Sequence, residues 1–102
     1  MAFSAHKNIT NNSTVELFSA SSNPGKISSL AVANTNDSNA TFCDLFLNDG
    51  VDTFYVLKNA LIPKGTTLIV EKEAFNLSIN HGLYIKLTGD SSSTSSATVT
   101  IK

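Results

Sequence analysis

The sequence predicts an all-β domain, an antiparallel β-sandwich or jelly-roll-like barrel of about seven or eight short strands. Three observations point there. Two runs near the C-terminus alternate strictly: Leu83, Ile85 and Leu87 against Tyr84 and Lys86, then Ala97, Val99 and Ile101 against Thr98 and Thr100. A period of two marks a strand buried on one face. Turn residues recur at short intervals along the whole chain. Ser, Thr and Asn make up over a third of the residues, and charged residues only 15%. That composition is poor in helix formers and rich in strand and turn formers.

Taken in order, strands are expected at 14–18, 27–33, 41–47, 53–57, 67–71, 75–77, 83–87 and 97–101. Pro24-Gly25 suits the central pair of a type II turn, since Pro presets the first φ and Gly accepts a positive second one. Asn48-Asp49-Gly50 suits a tight hairpin, because all three tolerate left-handed backbone. Pro63-Lys64-Gly65 and Asn80-His81-Gly82 each place a Gly where a strand restarts. "GDSSSTSSA" reads as a polar hairpin loop before the last strand. The helix-like tetrapeptide Glu71-Lys72-Glu73-Ala74 is too short to stand alone. The core is expected to include Leu30, Val32, Leu45, Leu68, Leu83, Ile85, Val99 and Ile101.

The 102 residues fit one domain, with residues 13–102 as the sandwich and 1–12 as an extended N-terminal arm. The arm is polar and weakly periodic. Phe3 and Ile9 are its candidate anchors on a partner. A net charge of -1 gives no footprint for nucleic acid or for an anionic membrane. The apolar runs fall short of the roughly 20 residues that span a bilayer. Residues 1–7 lack the pattern of a secretion signal, so intracellular synthesis is expected. The single cysteine, Cys43, excludes an internal disulfide. Six Asn-X-Ser/Thr sequons, at Asn8, Asn11, Asn12, Asn36, Asn39 and Asn76, follow from composition.

Gly25-Lys26 followed by Ser28 looks like the end of a phosphate-binding loop. Such a loop needs an earlier Gly and a following helix, so that backbone amides converge on the anion. Residues 18–23 contain no Gly, and 27–33 alternates like a strand. The stretch reads as a turn. No His/Cys/Asp/Glu cluster has metal-ligand spacing. Cys43 lies in the apolar run "TFCDLFL", where a small buried hydrophobe is its ordinary role, and its only imidazole partners in the chain would be His6 and His81. Glu71 and Glu73 could share a strand face, and a solvated edge accounts for them. No enzymatic activity, cofactor or metal is expected.

One pattern exceeds what a small sandwich needs. In 41–47 both faces are apolar: Cys43, Leu45 and Leu47 on one, Phe42 and Phe46 on the other around Asp44. In 53–57, Phe54 and Val56 oppose Tyr55 and Leu57. A lone antiparallel sandwich should have polar outer faces. Either another segment of the chain covers these strands or a second subunit or larger partner does. Phe42, Phe46 and Tyr55 are the contacts this predicts. Tyr55 and Tyr84 are the candidates for an aromatic sugar platform.

"NPGKISSLAVANT", "NATFCDLFL", "YVLKNALIPKGTTLIV", "LYIKL" and "SATVTI", in that order, resemble a family of small virion structural proteins of tailed phages of marine and cyanobacterial hosts. The resemblance spans residues 11–102. Cys43-Asp44 departs from it where aliphatic residues or Thr are usual, as does "NHG" where an acidic turn is common. The resemblance implies a β-sandwich virion component without catalysis. A capsid decoration or cement protein on the outer surface of the major capsid protein lattice comes first. A tail, baseplate or fibre-attachment protein, or a host-surface carbohydrate-binding module, is the alternative. It also implies synthesis in the host cytoplasm and assembly into the virion. The doubly apolar strands and the absence of any disulfide predict self-association, with a trimer favoured.

Overall fold

The computed structural model describes residues 5–10, 12–22, 27, 29–36, 38–71, 81–89 and 96–102. They form eight strands: β1 (Ala5–Ile9), β2 (Thr14–Phe18), β3 (Ser29–Asn34), β4 (Thr41–Asn48), β5 (Thr53–Ile62), β6 (Thr67–Glu71), β7 (Gly82–Gly89) and β8 (Ala97–Ile101). The strands build two four-stranded antiparallel sheets, β1-β8-β3-β6 (sheet I) and β2-β7-β4-β5 (sheet II). Only β4 and β5 are neighbours both in sequence and in a sheet; every other connection crosses between sheets. This order is that of an eight-stranded jelly roll.

Alternation explains why the layers close. Leu83, Ile85 and Leu87 of β7, Cys43, Leu45 and Leu47 of β4, Leu30 and Val32 of β3, and Ala97, Val99 and Ile101 of β8 all point between the sheets and are buried. Leu68 lies half-buried at the margin of this core, and Val70 takes the deeper place on β6. β2, β6 and β8 have the bounds that the sequence predicts. The strand expected at 75–77, the turn at Pro24-Gly25 and the loop 90–95 lie outside the described residues. β3 follows Gly25-Lys26 where a phosphate loop would require a helix.

Two expectations are corrected. Residues 5–9 are not an arm outside the sandwich, for β1 pairs with β8 along its whole length. Ile9 is 2% exposed in the core and is no surface anchor. The sequence hides this because Lys7 stands in an inward register position, two residues before the buried Ile9, so the period of two is broken by charge. The second correction concerns β5, which runs to Ile62 and holds two bulges. Val56 is an extra residue between Leu57, opposite Leu45, and Tyr55, opposite Phe46. Each bulge flips the alternation. Val56 and Leu57 therefore both pack against the core instead of facing opposite ways.

The turns have explicit causes. Gly65 (φ 70°) is the third residue of the turn Pro63–Thr66, closed by Thr66 N–H donating to the Pro63 carbonyl at 3.2 Å. A positive φ at that position is what a type II turn demands. In the β4–β5 hairpin Gly50 has φ 98°, its N–H donates to Asn48 Oδ1, and Asp49 Oδ1 accepts from Val51 and Asp52 N–H. At the end of β3 the buried Asn34 amide donates to the carbonyls of Asn39 and Ile62, while its oxygen accepts from Asn36 N–H. One side chain thus fixes the crossing from β3 to β4.

Candidate functional site

The outer face of sheet II is built in rows by the strand register. One row runs Glu16 (β2), Tyr84 (β7), Phe46 (β4) and Tyr55 (β5). The next sets Lys86 beside Asp44, with Lys58 and Asn59 opposite Asp44 on the bulge. A third sets Thr88 beside Phe42 and Leu61. Two apolar rows therefore flank a charged one. Tyr55 and Leu61 are exposed, at 52% and 55%, and Phe42, Phe46 and Tyr84 are half-buried.

Phe46 is the centre of this face. Its ring stacks on Tyr84 with centroids 5.6 Å apart and 17° between planes, and meets Tyr55 at 5.5 Å and 51°. Such cross-strand aromatic pairs hold neighbouring strands in register. Tyr84 O–H reaches toward Glu16 Oε1 at 3.5 Å, at the β2 margin. The Lys58 ammonium lies 4.6 Å above the Tyr55 ring and 3.8 Å from Asp44 Oδ2. Asp44, which departs from the phage pattern, has a definite task here. Its Oδ1 accepts the N–H of Asn59 at 2.7 Å, where Asn59 takes φ 51°. A carboxylate thus satisfies the backbone that the bulge frees from the ladder.

Of the contacts predicted from sequence, Phe42, Phe46 and Tyr55 come together on this one face. Ile9 is in the core, and Phe3 lies outside the described residues. Sequence reasoning weighed Tyr84 only as a sugar platform and passed over Leu61. Tyr84 shows in the alternation of "LYIKL", but its place beside Phe46 depends on β7 pairing with β4, which no local pattern encodes. Leu61 was hidden because β5 was expected to stop at Leu57.

The sheet edges contrast with this face. β1 carries Lys7 in an inward register position, β2 has an irregularity at Leu17, β5 has its bulges and Lys58, and β6 is five residues long. Inward charges, bulges and short edges are the devices that prevent strand addition.

Cys43 is buried, and desolvation followed by the charge of Asp44 pushes its thiol up to about 12. His6 sits on the outer face of sheet I against Thr100, and His81 packs on Phe54 with centroids 5.5 Å apart. Among the described residues no three of His, Cys, Asp and Glu lie close enough to share a metal ion, and no helix is long and apolar enough to cross a membrane.

No family model matches the chain, and no curated protein matches it. Among solved structures it is similar to the crystal structure of the Yersinia pseudotuberculosis-derived mitogen, with a TM-score of 0.55 and 14% identity over 98% of this chain and 83% of that one. At that identity the likeness concerns the fold: a β-rich domain of comparable extent.

Proposed function

We propose that this protein is a non-catalytic virion structural protein, a capsid decoration or cement protein that docks on the major capsid protein lattice through the outer face of sheet II. The observation that carries the docking is the pair of apolar rows, Tyr84-Phe46-Tyr55 and Phe42-Leu61, on a sheet whose edges are protected. A contact made by a face excludes water over ring surfaces and needs no free strand edge. The phage assignment rests on the ordered resemblance of residues 11–102, and the jelly roll is a fold that capsid proteins use repeatedly. Fold alone does not assign function, so the resemblance and the face are both needed. A tail or baseplate position is the alternative on the same face. Self-association, as a trimer, belongs to the same proposal.

A carbohydrate reading is weaker on geometry. A sugar ring stacks on an open aromatic face. Phe46 and Tyr84 have turned faces to each other, and Lys58 caps Tyr55.

The test uses undecorated capsids and isolated tails, mixed with the protein and with a Phe46→Ser/Tyr55→Ser variant of unchanged fold by circular dichroism. Capsid binding by the parent, lost in the variant, supports the proposal. Binding to tails alone moves the protein to the tail. Equal capsid binding by both forms removes this face as the contact.

A further inference from the structure

β1 is an edge strand, and its backbone pairs with β8 alone, as each of the other edge strands pairs with one neighbour. What sets it apart is Lys7, a charged residue in an inward register position opposite Val99 and two residues before the buried Ile9. Lys7 escapes sideways, its ammonium donating to the Glu16 carbonyl of β2 at 3.3 Å. The seam this leaves contains a cavity of about 50 Å³ lined by His6, Lys7, Leu17, Val99 and Ile101. From Ile9 in sheet I the chain must enter sheet II at Thr14, with residues 10–13 between. Short connections of this kind favour exchange of an element between copies.

β8 cannot do without a neighbour at this edge. In an antiparallel ladder successive residues turn their N–H and C=O to opposite neighbours. Ser96 and Lys102 bond to Thr35 and Ser29 on the β3 side. By alternation Thr98 and Thr100 also face β3, while Ala97, Val99 and Ile101 turn their backbone groups to β1. These three are the buried residues of β8, so an open edge would expose apolar side chains and unpaired amides together.

We propose that β1 is an exchangeable strand, which leaves its own β8 and completes the β8 edge of a second copy of this chain. The occupant is fixed by the contacts to be replaced: the core socket of Ile9, the Lys7 bond to the Glu16 carbonyl, Thr98 Oγ1 donating to Asn8 Oδ1 at 2.7 Å, and His6 Nδ1 with Thr100 Oγ1 at 3.2 Å. The same strand from another copy restores all of them. Each copy then contributes a strand without which its partner's sheet is incomplete. This inference is independent of the docking face on sheet II.

The outward pair His6 and Thr100 provides the test. It is a non-hydrogen-bonded pair, where opposed Cα atoms approach closely enough for a disulfide. His6→Cys and Thr100→Cys single variants are mixed, incubated and oxidised. Only exchange between copies sets the two substituted positions side by side. The expected result is a disulfide-linked heterodimer well above the level formed by either variant alone, rising with protein concentration. The His6→Cys/Thr100→Cys double variant should close its bond within a monomer when dilute, which establishes that the geometry is competent. Hydrogen exchange on the unaltered chain gives a second readout that needs no variant to fold. Amides of Val99 and Ile101 should exchange faster than those of Thr98 and Thr100 by about tenfold or more, because β1 opens locally while β3 stays. Absence of excess heterodimer beside a competent double variant overturns the proposal. Uniform protection along β8 does so as well.

Discussion

The two sheets share one inner layer and turn different outer faces to the surroundings. Sheet I shows small or polar groups, among them Ala31, Ala33 and Thr67, with His6 bonded to Thr100 and Thr98 to Asn8 across β1 and β8, and with Ile69 as an exposed large residue at 59%. Sheet II shows Phe42, Phe46, Tyr55, Tyr84 and Leu61 around Asp44 and its lysines. Both obey the same period of two, so alternation determines which side chains leave the core and says nothing of what they then meet. Among the described residues the aromatic groups and most of the large apolar surplus lie on the face of sheet II, with Ile69 the exception on sheet I, and a packing need would have no reason to prefer that face. That asymmetry is why the docking proposal rests on sheet II.

The comparison predicts that inner residues of both sheets are equally costly to truncate, whatever lies outside. Ile85→Ala in sheet II and Ile101→Ala in sheet I should each lose about 2–5 kcal/mol, the lost burial plus the cavity left behind. Both are fully buried. Urea denaturation measures this, and an unchanged midpoint for either would contradict the register. Asn34→Ala should follow, losing about 1–3 kcal/mol, because the carbonyls of Asn39 and Ile62 and the Asn36 N–H lose their partner. Restored stability in Asn34→Leu would show that filling the space matters more than the bonds.

The outer faces should separate where the inner ones do not. Phe46→Ala removes contacts with two rings and should cost about 1–3 kcal/mol at roughly 0.5–1.5 for each aromatic pair, together with the loss of particle binding. Thr100→Ala on sheet I should stay within about 0.5 kcal/mol and leave binding intact. Equal effects of the two on capsid or tail binding would dissolve the contrast. Thr41→Val carries the opposite sign. Its buried hydroxyl has no hydrogen-bond partner among the described residues, so removing it should gain about 1 kcal/mol in thermal or chemical unfolding.

How much of this was legible differs by level. The strands with clean alternation, β6, β7 and β8, could be read locally because each writes its own burial pattern. β1 could not, since Lys7 occupies an inward position and reaches out along the seam to a backbone carbonyl. β5 was cut short because its bulges reverse the pattern twice, and the bulge at Asn59 depends on Asp44 of another strand. The docking face was half legible. Phe42, Phe46 and Tyr55 stood out as apolar groups left over from the core, while Tyr84 joined them only through strand order. Crossing connections place β7 beside β4, and hydrophobic period carries no information about which sheet a strand enters.

The smallest predicted effect concerns the hairpin that sets Phe46 opposite Tyr55. Asp49 Oδ1 accepts N–H groups from Asp52 at 2.8 Å and Val51 at 2.9 Å, and these two bonds, the Asp52 one larger, hold its carboxyl below the ordinary 3.8. Desolvation opposes these bonds, and the nearby His81 adds a smaller push in their direction. A carboxyl depressed in the folded state binds its proton more readily when unfolded. Its contribution to stability is therefore complete above the unfolded value near 3.8 and is lost as pH falls through the lower folded value. Asp49 is exposed, so solvent screening keeps the effect small. Asp49→Asn retains an oxygen acceptor for both N–H groups and removes the titration. The thermal midpoint of the parent, followed between about pH 5 and pH 2, should fall more steeply than that of the variant, with the two curves parallel at the upper end. Parallel curves throughout would mean that the two bonds do not distinguish charged from neutral oxygen. The hairpin would then owe its geometry to Gly50 and Asn48 alone.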